Sequence, residues 1–379
     1  MIAPEAKAHV DRIGKADLVV ALPYCQSREQ LDKAAASLRP VLSTMLPDGK
    51  AVVLHPNTAT AAPESTDEPK GADSSFDFFP YPMAPVVTYP ETSLSQALRS
   101  LFQVGMALSA RVCVMVGSET CAEDVGRLAE PVLNNGYDLA APLYARRKFD
   151  SLINSGIVYP LTRAMYGARL HYPMAAELAM SARLAENYLQ PPANGRPESG
   201  WITMKAVRAG LQVCQVHRGA PPAPSAPEPE DLSGTLAQVL STLFLGLESN
   251  AAFWQRVRGS HSLRTFGRPS PRETETSSVD VHDMIETFQR GCRDLLDIWV
   301  MALTPATLLD LKKLARQSQE QFRMADSLWV HVLYDFILGH RQRVINREHL
   351  LRAMTPIYLA WVASYALEVQ SMAPAAVED

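Results

Sequence analysis

The sequence has few cysteines, and they follow no regular spacing. Its five cysteines are scattered along 379 residues, and no Cys-x-x-Cys pair occurs. An odd number without paired spacing argues against a disulfide framework and against a cysteine-based zinc site. Free thiols are typical of a reducing compartment, so we expect a cytoplasmic protein.

The chain also lacks a long apolar segment and a strong net charge. A membrane-spanning helix needs about 20 apolar residues, and the most apolar stretch, residues 357–367, is far shorter. The N-terminus is mixed in charge and has no apolar core of a signal peptide. The net charge of -4 does not favour a general nucleic-acid binder. We expect a soluble protein with no membrane span and no nucleic-acid partner.

Short apolar runs alternate with helical patterns in the first third of the chain. Residues 17–22, 50–55 and 112–116 read as buried strands, and residues 28–46 and 92–110 read as helices. Such alternation is typical of a parallel sheet with helices on its faces. The sequence therefore predicts an α/β fold for this part of the chain.

Proline-rich and polar stretches interrupt this pattern. Residues 56–85 are rich in Pro, Ser, Thr and Asp and predict an exposed loop. Residues 190–200 and 219–234 carry several prolines, which can neither donate to a sheet nor continue a helix. Residues 268–278 read as a linker between domains.

The chain beyond residue 280 has helical periodicity throughout and predicts a bundle of about four helices. The predicted domains are a nucleotide-sugar domain over 1–235, a connecting helix and linker over 236–278, a helical bundle over 279–372 and a flexible tail over 373–379.

Three segments carry a resemblance to a known family: residues 134–150, residues 154–170 and the helical stretch 328–359. Together they resemble a bacterial group of family-2-like glycosyltransferases related to the mannosylglycerate and glucosylglycerate synthases. The resemblance implies a GT-A fold, in which a Rossmann-like α/β domain binds a nucleotide-sugar and a helical C-terminal domain follows. It also implies which positions bind the donor and its metal.

The donor-binding positions of the family are altered in this sequence. The turn after the first strand is Pro23-Tyr24-Cys25-Gln26, and the resemblance assigns Pro23 and Tyr24 to the nucleotide-sugar. The second strand of the family ends in an acid that binds the base. Here it ends in His55-Pro56, and Asn57 is the residue that could still pair with a base edge.

The metal-binding positions are altered as well. Where the family has Asp-x-Asp, this chain has Gly117-Ser118-Glu119. The resemblance implies that Glu119 keeps one metal-binding carboxylate and assigns Ser118 to the nucleotide-sugar. The resemblance places the last ligand in a proline-rich loop, and His217 is the nearby substitute. A single acid binds Mn²⁺ or Mg²⁺ weakly, because these ions need several oxygen or nitrogen ligands.

The acid under the sugar is predicted to be Glu177, in a segment where two alanines fill the space of family glycines. A catalytic role is one interpretation; an ion pair with Arg146, Arg147 or Arg183 is another. The run Arg146-Arg147-Lys148 could bind a diphosphate or an anionic acceptor, or could be a solvated basic patch.

These changes leave three hypotheses. The first is a GT-A-like protein with weakened or lost catalysis, which acts as a binding or partner subunit, either as a homo-oligomer or with another glycosyltransferase. The second is an active transferase that moves sugar from a nucleotide-sugar to a small acceptor such as a glycerate-type hydroxy acid. The third is an oligomerising module built on the apolar helices that carry Trp299, Trp329, Tyr358 and Trp361.

Overall fold

The strands of the N-terminal half are apolar on both faces, because they lie inside a sheet covered by helices. In the computed structural model, Leu18–Ala21 and Val112–Met115 are fully buried along their whole length. Parallel strands with both faces covered read as continuous apolar runs rather than as alternating ones. The structure describes residues 4–25, 27–56, 76–81, 91–117, 121–145, 147–190, 200–218, 231–269, 279–370 and 372.

The chain divides into two compact units. The first comprises residues 1–145, 159–225 and 253–271, and the second comprises residues 146–158, 226–252 and 272–379. Residues 146–158 and the helix near 240 thus group with the C-terminal helices, whereas the sequence-based boundaries divide the chain at 235 and 278.

The first unit contains eight strands. They are β1 Leu18–Ala21, β2 Ala51–Pro56, β3 Phe76–Tyr81, β4 Val112–Met115, β5 Leu139–Leu143, β6 Leu178–Ser181, β7 Val213–His217 and β8 Arg264–Phe266. Its helices are α1 Pro4–Ile13, α2 Arg28–Met45, α3 Glu91–Ala107, α4 Ala122–Asn134, α5 Tyr159–Tyr166, α6 Ala182–Leu189 and α7 Ile202–Arg208.

The strands form one mixed sheet in the order β3-β2-β1-β4-β6-β5-β7-β8. All neighbouring pairs are parallel except those of β6, which runs antiparallel to both β4 and β5. Met115, at the carboxyl end of β4, pairs with Leu178, at the amino end of β6. This register brings the beginning of β6 to the edge of the sheet where the parallel strands end.

The predicted loop over residues 56–85 is wrong in part, because residues 76–81 form β3. β3 pairs in parallel with β2 and is one of the two edge strands of the described sheet. An edge position tolerates Pro80, and Phe76 and Tyr81 are buried against the sheet. Residues 57–75, and the short strand expected over 85–90, lie outside the described residues.

The second unit is helical. Its helices are α8 Leu232–Ser249, α10 Val281–Asp294, α11 Leu296–Ala302, α12 Pro305–Leu314, α13 Asp326–Gln342, α14 Arg347–Arg352 and α15 Thr355–Val369, and the short helix α9 Ala251–Trp254 lies across the boundary between the units. Asp280 caps α10 through the amide of Asp283, and Pro305 occupies the first turn of α12, as the sequence predicts. The expected fold class, a Rossmann-like α/β domain of the GT-A kind followed by helices, is confirmed by this arrangement of elements.

Aromatic side chains form the core of the second unit. Trp299, Trp329 and Tyr358 are buried, and the Trp329 and Trp361 rings stack with centroids 5.5 Å apart. The Trp329 indole donates a hydrogen bond of 2.9 Å to the carbonyl of Gly156. These aromatic residues therefore pack inside the unit and do not provide an exposed interface.

Among the residues that the structure describes, one helical stretch, Arg347–Val369, is long and apolar enough to span a membrane. Within its most apolar window, 61% of the residues are buried in the fold. A core helix of a water-soluble protein has the same length and composition, so this stretch is weak evidence for a span.

Candidate functional site

The carboxyl edge of the sheet is the place where the topology gathers polar residues. In open α/β sheets, ligands bind outside the carboxyl ends of the parallel strands. The residues at this edge are Pro23 and Tyr24 after β1, His55 and Pro56 at the end of β2, Gly117 after β4, Tyr144 after β5, and His217 and Arg218 at the end of β7. Glu177 joins them from the beginning of the antiparallel strand β6.

A buried group of three charged side chains lies at this edge: Arg218, Glu177 and Asp124, here called the ionic triad. The Arg218 guanidinium donates from Nη1 to Glu177 Oε1 and from Nη2 to Asp124 Oδ2. The three side chains are only 5–7% exposed. Two carboxylates therefore share one buried guanidinium.

Asp124 is the most heavily bonded member of the ionic triad. It lies in the first turn of α4, where the helix dipole favours a negative charge. Its carboxylate also accepts a bond of 2.7 Å from Cys121 Sγ and one of 3.2 Å from Arg127 Nη1. Burial alone would raise the pKa of Asp124, but the bonds from Cys121 and Arg218 hold that pKa below its ordinary value. The carboxylate is thus kept as an anion.

Arg218 stays charged although it is buried. Desolvation would lower its pKa, but Glu177, Tyr144 and Asp124 raise the pKa of the guanidinium above its ordinary value. The guanidinium also lies over the Tyr144 ring, 5.6 Å from the centroid. A permanent cation at this position fixes both acids in place.

Aromatic and imidazole rings flank the ionic triad. The rings of Tyr144 and Tyr172 meet edge to face, with centroids 4.7 Å apart. His171 Nδ1 lies 3.0 Å from Gln215 Oε1, an oxygen that can only accept, and the imidazole ring stacks on Tyr159. Partial burial, and then the positive charge that His171 can carry, lower the pKa of His217. His217 is therefore held neutral at pH 7.

The predicted site residues lie in different parts of the structure. Glu177 and His217 are both at the carboxyl edge of the sheet. Pro23 and Tyr24 follow β1 at the same edge. Arg147 and Lys148 belong to the second unit, where Lys148 Nζ donates to the carbonyl of Val369 at 3.1 Å. Four more fall outside the described residues, namely Asn57, Ser118, Glu119 and Arg146.

Among the described acids of the edge, Asp124 and Glu177 are both engaged in ion pairs. Within the described ranges, no three His, Cys, Asp or Glu side chains gather as a metal site would require. Asp124 and Glu177 each give an oxygen to Arg218, so a cation would have to displace the guanidinium. Glu119 lies outside the described ranges, and its role as a metal ligand with His217 stays a prediction.

Arg218 and Asp124 were not predicted to act at the site. The sequence suggests Arg146, Arg147 or Arg183 as the ion-pair partner of Glu177. In the structure the Glu177 carboxylate pairs with Arg218, whereas Arg183 pairs with Asp138. The available signal was the position of Arg218, which directly follows β7, a strand whose end belongs to the carboxyl edge. Asp124 stands in an ordinary amphipathic helix pattern and gave no signal of its own.

Comparison with known proteins gives structural similarity alone. No protein-family profile matches the sequence, and no curated protein matches it. The chain is similar to glucosyl-3-phosphoglycerate synthase from Mycobacterium tuberculosis solved with Mn²⁺, UDP-glucose and phosphoglyceric acid, with 18% identity, a TM-score of 0.38, and coverage of 63% of this chain and 82% of that one.

Two other structures of that synthase show similar values. The complex with phosphoglyceric acid has 17% identity, a TM-score of 0.39, and coverage of 69% of this chain and 93% of that chain. A further crystal structure of the synthase has 20% identity, a TM-score of 0.35, and coverage of 62% and 84%. Similarity at this level carries no argument about a family or a reaction. The conclusion from this site is therefore structural: the first unit is an α/β domain with a buried ionic triad at the carboxyl edge of its mixed sheet.

Proposed function

We propose that this protein is a glycosyltransferase-like protein of GT-A fold with weakened or lost catalysis, which acts in the cytoplasm as a binding or partner subunit. The observation that carries the proposal is the pairing of Glu177 with Arg218. A carboxylate that is held by a permanent buried cation is not free to orient a sugar acceptor.

The sequence at the neighbouring strand ends supports the same proposal. Gly117 stands where the first metal-binding acid is expected, and His55 stands where a base-binding acid is expected. His55 is buried, and its Nδ1 lies 3.1 Å from the carbonyl of Pro56, so this ring is engaged in its own strand. Nucleotide-sugar remains the ligand class that we propose for Pro23, Tyr24, Asn57 and Ser118.

A binding and turnover screen tests the proposal. UDP-, GDP- and ADP-sugars are titrated by calorimetry with and without Mn²⁺, and sugar release is measured with a sensitive hydrolysis assay. We expect weak or metal-independent binding and no turnover. Saturable Mn²⁺-dependent binding together with turnover would show that the proposal is wrong.

The alternative is an active transferase that acts on a small polar acceptor. In it Glu119 and His217 hold Mn²⁺ or Mg²⁺, Glu177 orients the acceptor, and the run Arg146-Arg147-Lys148 binds anionic groups. This alternative predicts that Glu119→Gln abolishes hydrolysis measured for the wild type. If the wild type and Glu119→Gln are equally silent, the alternative is rejected.

A role in self-association is favoured by a different observation. Several large apolar side chains of the second unit are exposed, among them Val300, Met301, Leu309, Val330, Tyr334 and Leu338. The last three lie at intervals of four residues on one face of α13. We propose that a second copy of this chain covers that face, since an exposed contiguous apolar surface marks a protein interface.

A further inference from the structure

The first unit has a groove on the side of α5, outside the residues of the carboxyl edge described above. Its volume is about 400 Å³, and it is lined by Pro160, Arg163 and Ala164 of α5 and by the loop of residues 257–260. Two backbone bonds fasten the loop to the end of α5: His261 N donates to Gly167 O at 2.9 Å, and Arg169 N donates to His261 O at 3.0 Å. The groove is therefore formed by tethered backbone.

Two guanidinium groups converge on one hydroxyl beside this groove. Arg163 Nε donates to Ser260 Oγ at 3.0 Å, and Arg169 Nε approaches the same oxygen at 3.4 Å. Each guanidinium uses its Nε for this contact, so its terminal nitrogens remain for another acceptor. Two like charges on one neutral oxygen repel each other, and an anion between them would remove that repulsion.

The described part of the chain supplies no carboxylate for these cations. Arg163 and Arg258, which line the groove, make no ion pair with any described residue, and neither does Arg169, which lies beside it. By contrast, Arg183 and Arg218 of the same unit are each paired with an acid. The groove thus concentrates positive charge that the described residues do not neutralise.

The backbone of the loop adds hydrogen-bond donors. The amides of Arg258, Gly259 and Ser260 donate to no acceptor in the described residues, whereas the amides before and after them are bonded. At Gly259 a Cβ would meet nothing within 4 Å, so the space beside the loop is open. Successive unpaired amides next to arginines are a typical setting for an oxyanion.

We propose that this groove binds a phosphoryl group, held by the terminal nitrogens of Arg163 and Arg169, by Nη2 of Arg258 and by the amides of the loop. Nη1 of Arg258 already donates to the carbonyl of Gln255 at 3.1 Å. A guanidinium binds two phosphate oxygens at once, so three of them around a small groove favour phosphate over a single-oxygen ligand. The size of the groove suits a soluble phosphate ester or polyphosphate, although a phospholipid headgroup carries the same chemistry. The inference stands apart from the proposed function, because it uses none of the residues of the carboxyl edge.

Calorimetric titration with inorganic pyrophosphate at low ionic strength tests the site. We expect saturable binding to the wild type and at least tenfold weaker binding to Arg163→Gln and to Arg169→Gln. Arg256→Gln is the matched control, because Arg256 lies on the same segment and is exposed but does not line the groove. Its affinity should stay within threefold of the wild type.

The same titration can overturn the inference. It is wrong if the wild type binds no pyrophosphate, or if Arg256→Gln weakens binding as much as Arg163→Gln, which would indicate a diffuse basic surface. Thermal unfolding of each variant shows that the fold is retained, and Ser260→Ala gives a second, uncharged variant that should also weaken binding.

A flotation assay with phosphatidic acid vesicles distinguishes the two sources of the phosphoryl group. We expect the protein to stay with the soluble fraction. The assignment to a soluble ligand is wrong if the wild type floats with the vesicles, Arg163→Gln does not, and the wild type gives no heat with pyrophosphate.

Discussion

Arg218 limits the chemistry that is available at the carboxyl edge of the sheet, because it pairs with both buried acids there. Its guanidinium is buried between two carboxylates and cannot lose its proton. Both acids therefore serve as ion-pair partners that stabilise the fold. Burying charges is unfavourable unless each has a partner, and removal of one partner leaves the others uncompensated. The strongest effects of substitution in this unit are therefore expected at the ionic triad.

Replacement of Arg218 by Met tests this point. The change keeps much of the side-chain volume but leaves two carboxylates buried without their cation, so we expect the free energy of unfolding to fall by about 3–5 kcal/mol. Urea unfolding followed by circular dichroism measures it. Arg127→Met is the control, because Arg127 pairs with Asp124 from a side chain that is 58% exposed, and an exposed pair contributes about 1 kcal/mol or less. Equal losses for the two variants would contradict the structural role of Arg218.

His340 predicts a pH dependence of stability in the second unit. Its side chain is buried, and neither ring nitrogen makes a hydrogen bond, although Glu248 Oε1 lies 3.4 Å from Nδ1. Burial, followed by the charge of Arg347, lowers the pKa of His340, and the nearby Glu248 opposes this only in part. The folded protein therefore holds His340 neutral.

The unfolded chain protonates histidine with a pKa of about 6.5, so it binds more protons than the folded state below that pH. The free energy of unfolding should then fall as the pH drops from 7.5 to 5.5. We expect His340→Phe, which keeps a ring beside Phe244, to reduce this slope in thermal unfolding. His331→Gln, on an exposed face of the same helix, should leave the slope unchanged. The prediction is wrong if the stability of His340→Phe depends on pH as steeply as that of the wild type.

At the scale of elements, the turn before α5 packs closely against the aromatic side chains of the second unit. Residues Asn154–Val158 form a π-helical turn, a rare element that is common at functional sites. Gly156 lies in this turn, and a Cβ there would overlap the ring of Trp361. The carbonyl of Gly156 also accepts the hydrogen bond from the Trp329 indole. The turn and the aromatic core thus depend on each other.

Gly156→Ala is expected to destabilise the protein by about 1–3 kcal/mol, the usual cost of overpacking a core. Thermal and urea unfolding measure the loss, and quenching of tryptophan fluorescence reports whether the Trp329–Trp361 stack opens. Gly259→Ala is the control, because its Cβ would meet nothing within 4 Å. A Gly156→Ala variant as stable as the wild type would mean that the rings move aside without cost.

Sequence patterns predicted the elements that local physics determines. The apolar runs of β1, β2 and β4, the cap of α10 and the proline in the first turn of α12 are local signals, and the structure confirms them. β6 was missed because Leu178–Ser181 has no β-branched residue, and its place depends on partners on both sides. β3 was missed because its proline argues against a strand unless the strand lies at an edge.

The candidate site was predictable only in part for a similar reason. Glu177 and His217 were predicted from the resemblance, and both lie at the carboxyl edge. The ionic triad joins residues 124, 177 and 218, which no local pattern connects, because their proximity follows from the antiparallel insertion of β6 and the order of the sheet.

At the scale of the whole molecule, the exposed apolar face of α13 predicts a dimer. If two copies of α13 pair antiparallel about Tyr334, Asp326 at the beginning of one helix meets Arg341 near the end of the other. Both are exposed and make no ion pair with the described residues. The pairing therefore joins apolar stripes at the centre and opposite charges at the ends.

Light scattering coupled to gel filtration checks this prediction. We expect a wild-type mass near twice 41.6 kDa and a monomer for Tyr334→Asp. Met106→Asp is the control, because Met106 is an exposed apolar residue of the first unit, so it should leave the mass unchanged. A monomeric wild type, or dimers in both variants, would exclude α13 as the interface.

The charge balance of Asp124, Glu177 and Arg218 also bears on how this chain can change over generations. Substitution of one member alone leaves the other two buried without full charge compensation, which destabilises the fold. Variants with a single substitution are therefore expected to be selected against. Descendants should keep all three residues or exchange them together for apolar side chains. A lineage that regained a free acid at position 177 would first have to find another way to satisfy Arg218.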